Sequence, residues 1–408
     1  MKKLNLEELA KKLQEEQLMK KDYVIPSTHL KMVNGKIVVY NPTKDAELSK
    51  ILYESGISTV VDDSQQMELD LLPIAHEQIA SKLGIPKPFY DRLLNSKQEV
   101  NLPCLDFNVN HFFKNEPASY FLRTFINQEE NNGVMRALLS DKFKVIDHFD
   151  ILMAALESIK ESGVNVQITD SALTDRRMYI HFTAPDIEVQ SKELLSRYRL
   201  PNGSGGEDSG IVTGFVIANS ETGFSSFYIA PRINIKVCNN GLIIKKESMR
   251  KTHLGEKLEE FSQIKWSEQT KQKNLELIVS QIKDAVNTFV SLDFLGKQVQ
   301  QLEEVGNVKL KNPMNAIANV SKELSFSDEK KQKLLDYFIQ GSQTTAFGVS
   351  QAITYYAHND ADADEQFELE KVGYDVMANI EKFDTDYLTK SRSQEHTSEL
   401  QSRFGISY

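Results

Sequence analysis

Cysteine is nearly absent. Two residues in 408, Cys104 and Cys238, stand far apart in apolar, strand-like surroundings. They exclude a disulfide framework and a cysteine metal site, and they fit a reducing compartment. Long apolar runs are missing as well, since no segment approaches the ~20 residues that span a bilayer. The opening MKKLNLEELAKKL has two lysines but no apolar stretch of a secretory leader behind them. A soluble, cytoplasmic chain with no membrane partner is expected. Catalytic signatures are equally scarce. The eight histidines supply no pair at metal-ligand helical spacing, and no serine sits in a nucleophile elbow. The Gly-rich NGSGGEDSG (202–210) lacks the Lys-Ser/Thr ending of a phosphate loop. NDADADEQFELE has Glu365 where a calcium loop turns on Gly, and Lys371 where it needs a bidentate Glu. No metal, no cofactor and no enzyme class is expected, although His148, His181 and His358 remain lone candidates for a role.

What is present is an ordinary globular balance, 40% hydrophobic and 26% charged residues with a formal net charge of −10. That sum argues against a chain that coats nucleic acid with its whole surface, and leaves room for a local basic stripe. The length predicts two or three domains. Residues 1–118 read as a mixed helix and strand region. It opens on an amphipathic helix over 3–20, and KIVVY forms a strand. AHEQIASKLG is a helix closed by Gly84, and NLPCLDFNVNHFF is strand-like. Residues 119–250 form a strand-rich core. VMRALLS leads through Asp141 and Lys142 to a helix from Asp147 that Gly163 stops. VNVQIT, RMYIHFT, GIVTGFVIAN, FSSFYIA and RINIKVC then follow as an antiparallel meander. Residues 251–390 are helical, with Ser327 as an N-cap and Gly341 just past a helix end. The stretch SRSQEHTSELQSRFGISY (391–408) shows no usable apolar face and resembles translated sequencing-adapter read-through, so a non-native tail is expected there.

The strand RINIKVCNNGL alternates. Ile233, Ile235 and Val237 take one face and Arg232, Asn234 and Lys236 the other, before Asn240-Gly241 reverses the chain. In RMYIHF, Arg177, Tyr179 and His181 likewise alternate with Met178, Ile180 and Phe182. If these strands pair, one exposed sheet face carries arginine, lysine, amides and tyrosine. Cations that neutralise phosphates beside rings that stack on bases suit single-stranded nucleic acid. The plainer reading is that half-covered antiparallel sheets show water a polar face. From Arg232 to Lys257 the chain holds seven cations against two acids, so Lys245, Lys246, Arg250 and Lys251 would extend the track. Residues 360–386, with ten acids against two lysines, form a contrasting acidic helical segment.

Three motifs, RALLSDKFKVIDHFDIL (136–152), RINIKVCNNGL (232–242) and TAFGVSQAITYYAHN (345–359), resemble those of the phage/plasmid-like protein family, catalogued as domain of unknown function 932. The matching positions are Arg136 with Ser140 to Phe143, then Cys238, Asn240 and Gly241, then Ala352, Thr354 and His358. The resemblance covers roughly residues 70 to 380. Phe143 and Phe347 depart from it, where a tyrosine and a tryptophan are common. It implies a setting on phages, plasmids and integrated elements, with no established activity.

Together these observations predict an α+β protein: a central antiparallel sheet with helices packed on one side, followed by a mostly helical C-terminal region. The leading expectation is a non-enzymatic module that holds single-stranded DNA in mobile-element replication or recombination, as an annealing-type homo-oligomer. Its contact residues would be Arg177, Tyr179, Arg232, Lys236, Lys245, Lys246, Arg250 and Lys251. The alternative is an adaptor or counter-defence inhibitor that binds a protein partner through the acidic C-terminal helices.

Overall fold

The computed structural model describes residues 4–40, 67–98, 100–127, 132–195, 198–199, 209–236, 241–253 and 268–385. Cys238, Asn240, Lys257, most of the Gly-rich loop and the 391–408 tail lie outside the described residues.

Helix α1 (Leu6–Met19) opens on a capping box, in which Asn5 and Glu8 exchange side-chain and backbone hydrogen bonds. Strands β1 (Lys20–Pro26), β2 (Leu30–Val33), β3 (Lys36–Val39) and β4 (Met67–Leu71) follow, then helices α2 (Pro73–Lys82), α3 (Lys87–Leu94) and α4 (Asn101–Asn115). Strands β5 (Ser119–Asn127) and β6 (Asn132–Ser140) complete the first sheet, ordered β1-β5-β6-β4-β3-β2. Only the β4–β6 pairing in it is parallel. One face packs on α2 to α4 through Ile37, Leu69, Leu105, Val109, Leu122 and Met135. The change of sheet therefore falls after Ser140 rather than at 118, because β5 and β6 pair with strands drawn from the first 71 residues. NLPCLDFNVNHFF is helix α4 and not a strand: Leu105, Val109 and Phe113 recur every four residues and are its buried positions. Cys104 accordingly sits exposed on a helix.

After α5 (His148–Ser162), which follows Asp147 and is closed by Gly163 in the left-handed region (φ 66°), the second sheet begins. It comprises β7 (Gln167–Leu173), β8 (Met178–Gln190), β9 (Gly210–Asn219), β10 (Phe227–Ile235), β11 (Gly241–Ile243) and β12 (Met249–Lys251), with short helix α6 (Lys192–Leu195) between β8 and β9. The order β7-β8-β9-β10-β11 is the expected meander, with β12 also paired to β10. FSSFYIA and RINIKVC merge into the single strand β10. Six further helices follow among the described residues: α7 (Glu268–Phe289), α8 (Leu292–Gly306), α9 (Pro313–Glu323), α10 (Asp328–Gly341), α11 (Ala346–Asn359) and α12 (Ala363–Ala378).

The α+β class with a helical C-terminal region is borne out. Alternation along the strands sends Met178, Ile180, Phe182, Phe215 and Phe227 to one face, where they pack on α1, α5 and α7. The opposite face, with Tyr179, Val216, Ala230 and Ile243, packs against Phe367 of α12. The second sheet thus has helices on both faces. No helix among the described residues is long and apolar enough to cross a membrane.

Candidate nucleic-acid interface

The sheet face expected to be open is closed, and α12 closes it. Arg177, Tyr179 and Arg232 are 7%, 3% and 2% exposed. Each meets a polar group on that helix. Arg232 holds Glu370 bidentately, Nε to Oε2 at 2.8 Å and Nη2 to Oε1 at 2.7 Å. The Arg177 Nη1 donates to Glu368 at 2.9 Å and to the Tyr179 hydroxyl at 3.1 Å, and Tyr179 donates to Asp364. Asn234 donates to Thr183 at 3.0 Å. Burial opposes the charge on Glu370, but Arg232 and then His181 outweigh it and hold the carboxyl at about 2. Arg177, Tyr179 and Arg232 are therefore corrected from surface contacts to buried partners of an acidic helix.

Magnitude decides whether α12 could lift away. It also buries Phe367, Leu369, Val376 and Met377. At about 1.5–3 kcal/mol each, undocking those four would cost about 6–12 kcal/mol. That range matches the whole stability of a typical domain, so the face stays covered while the chain is folded.

The other expected contacts scatter. Lys236 lies at the far end of β10, half exposed and paired to Glu188. Lys245 pairs with Asp375 of α12, and Lys246 reaches Gln301 of α8 at 2.9 Å. Arg250 is exposed, opposite Tyr228 across the β10–β12 pairing. Strand alternation sends Lys251 to the other side of β12. No single track joins the eight.

A different group does converge, at the margin where β10, β12, the 220–226 turn and α12 meet. The Phe224 ring carries the guanidinium carbons of both Arg176 and Arg177 at 4.5 Å. Arg177 lies 6.0 Å from the Phe367 ring, and Lys371 Nζ stands 4.3 Å from Phe367 and 5.8 Å from Tyr228. Tyr228 and Phe367 pack edge to face. Arg250 donates to Ser226 at 3.2 Å beside them. Burial lowers the Lys371 amine to about 8 against the pull of Glu368, with Arg177 and Lys245 adding to the fall. Cations and rings thus alternate along an edge where Phe224, Tyr228, Arg176 and Lys371 keep partial exposure and Arg250 is open. The sequence reading missed Arg176, Phe224, Tyr228 and Lys371 as a group, because they come from three separate segments. Only the cation-rich 232–257 run hinted at the place.

The described motif residues lie apart from that edge or in its support. Arg136 donates to Glu221 at 2.7 Å inside a buried cluster where Lys20 (2.6 Å) and the His148 backbone N–H (2.7 Å) also reach that carboxylate. Arg123 joins it, bonded to Asp22 at 3.1 Å and Asp147 at 2.7 Å. Burial opposes ionisation of Glu221, yet His148, Arg123, Arg136 and Lys20 hold it well below the usual range. This cluster ties β1, β5 and β6 of the first sheet to the β9–β10 turn and α5. Ser140 ends β6, where its oxygen accepts from the Lys142 N–H at 3.3 Å. Gly241 opens β11, where a Cβ would collide with the Arg232 guanidinium. Thr354 donates within its own helix to Ser350 at 3.2 Å, and His358 is half-buried.

His181 lies in a cavity of about 70 Å³ between β7 and the start of α12, lined also by Asp170, Tyr179, Asp362 and Gln366. Its Nε2 stands 3.8 Å from Glu370, which Arg232 already engages. On the adjoining strand Ser171 donates to the Leu4 carbonyl at 2.7 Å. Buried His148 is held down to about 4 by desolvation and meets Asn219 at 3.0 Å. Among the described residues no group of three or more His, Cys, Asp or Glu could hold a metal ion. No protein-family model matches this chain, and no curated protein and no solved structure matches it either.

Proposed function

We propose that the chain is a non-enzymatic module that binds single-stranded nucleic acid at the margin of its second sheet. The mobile-element setting of replication or recombination is what the resemblance to phage/plasmid-like proteins implies. The observation that carries the reading is the alternation of Arg176, Phe224, Arg177, Phe367, Lys371 and Tyr228, with exposed Arg250 beside them. A strand laid there meets cations for its phosphates and the partly exposed rings of Phe224 and Tyr228 for its bases. Such stacking contributes about 1–3 kcal/mol per base and needs no sequence. The acidic run offers less to a protein partner, since Asp364, Glu365, Glu368, Glu370 and Asp375 all bond inward to other parts of the chain.

Fluorescence anisotropy of a labelled oligothymidylate at low and moderate salt tests the reading. Binding should fall steeply with salt, and Arg176→Ala/Arg250→Ala should lower the log–log salt slope by about 2. An absence of binding at roughly 50 µM protein, within the range of ordinary non-specific affinities, sinks it.

A further inference from the structure

We infer that Arg177 and Lys371 form a phosphate-binding notch whose place in the free protein is taken by the carboxylate of Glu368. It deepens the marginal-surface reading and rests on it only for the source of the phosphate, a nucleic-acid backbone or a free phosphate ester.

Two cations share this one anion. Arg177 Nη1 meets Glu368 Oε1 at 2.9 Å and Lys371 Nζ meets Oε2 at 2.5 Å. Both cations also face Phe367, whose ring gives the notch an apolar floor. Glu368 and Lys371 keep 19% and 15% of their side chains exposed, so an anion arriving from solvent reaches them. A carboxylate fills the notch incompletely. Its two oxygens are spent on one nitrogen each, and the buried Arg177 Nε–H finds no acceptor among the described residues. A phosphate brings more negative charge to both cations than the carboxylate does. Lys245, paired to Asp375, stands near enough to Lys371 to act on its charge. The comparison with Glu370 is instructive. That carboxylate is 1% exposed and gripped through two nitrogens of one arginine, so no solute displaces it.

The first test uses the unaltered full chain, with inorganic phosphate and pyrophosphate as probes. Acetylation of Lys371 by an activated ester at pH 8, mapped by mass spectrometry, should slow several-fold when either anion is added. Chloride at matched ionic strength should leave it unchanged. Glu368→Gln should bind pyrophosphate at least about tenfold more tightly, because a neutral amide no longer competes for two charged donors. Acetylation that ignores both anions overturns the notch, whatever the fate of the variant. A short oligothymidylate separates the two readings. Protection of Lys371 by pyrophosphate without oligonucleotide binding upholds the notch for free phosphate esters and removes the nucleic acid. Oligonucleotide binding that leaves Lys371 fully reactive, in a chain that pyrophosphate also leaves reactive, keeps the surface and removes the notch.

Discussion

Arg232 and Glu370 bury opposite charges against each other, with side chains only 3% and 1% exposed. Truncating one side of such a pair leaves the other charged and alone, so Arg232→Ala should cost about 3–5 kcal/mol in urea unfolding. Arg232→Met with Glu370→Leu should recover most of that loss, since it removes both charges and keeps the volume. A double variant as unstable as the single one would show that packing, not charge, matters there. Gly241 adjoins the same guanidinium, and Gly241→Ala should destabilise by about 1–3 kcal/mol through crowding alone. These side chains show how far the site was legible. The residue types on the face and their alternation were readable, as was the Asn-Gly reversal signal, although Asn240 lies outside the described residues. What faced them was not. An arginine that meets phosphate and one that meets an internal glutamate look alike in a strand, and Glu370 lies 138 positions away.

Helices were the more legible elements because their signals are local. Ser327 caps α10 by accepting from the Lys330 N–H, as its place before two acids suggests, and Gly341 is that helix's last residue. Ser327→Ala should lower stability by about 1 kcal/mol without touching the marginal surface, a difference thermal melting resolves. Helix α4 defeated the same logic, since its Phe, Val and Cys content reads as strand while its four-residue spacing is helical. Helix α12 posed a different problem. Its acidic composition reads as a solvated face, yet Phe367, Leu369, Gly373, Val376 and Met377 are buried together with Glu370. A helix whose charges pair inward carries no sign of it in its own sequence.

At the scale of the whole molecule, the two sheets meet through the Glu221 cluster, and its charges make stability depend on pH. Glu221, Glu368 and Glu370 are held below their ordinary range despite burial, by the cations around them. A carboxylate held low stabilises fully above its unfolded value of 4.5 and loses that contribution as pH falls towards the folded value. His148, buried neutral and lowered to about 4, acts in the same direction between 6.5 and 4, because the unfolded chain takes the proton first. Burial raises Glu16, Asp22 and Asp150, and these return part of the loss. The urea midpoint should therefore decline as pH is lowered from 7 to 4, and a flat profile would contradict the roles given to these groups. The order of the first sheet has one more consequence, for the growing chain on the ribosome. Strand β1 pairs only with β5, and β4 bridges to the sheet's other half only through β6. The residues before Ser119 thus hold two unfinished edges and wait for the next 22 before their sheet can close. Even then Lys20 lacks Glu221, the nearer of its two buried carboxylates, until residue 221 has been added. The cluster that joins the two sheets is thus complete only 201 residues after Lys20, and until β5 and β6 arrive the open edges invite pairing with neighbouring chains.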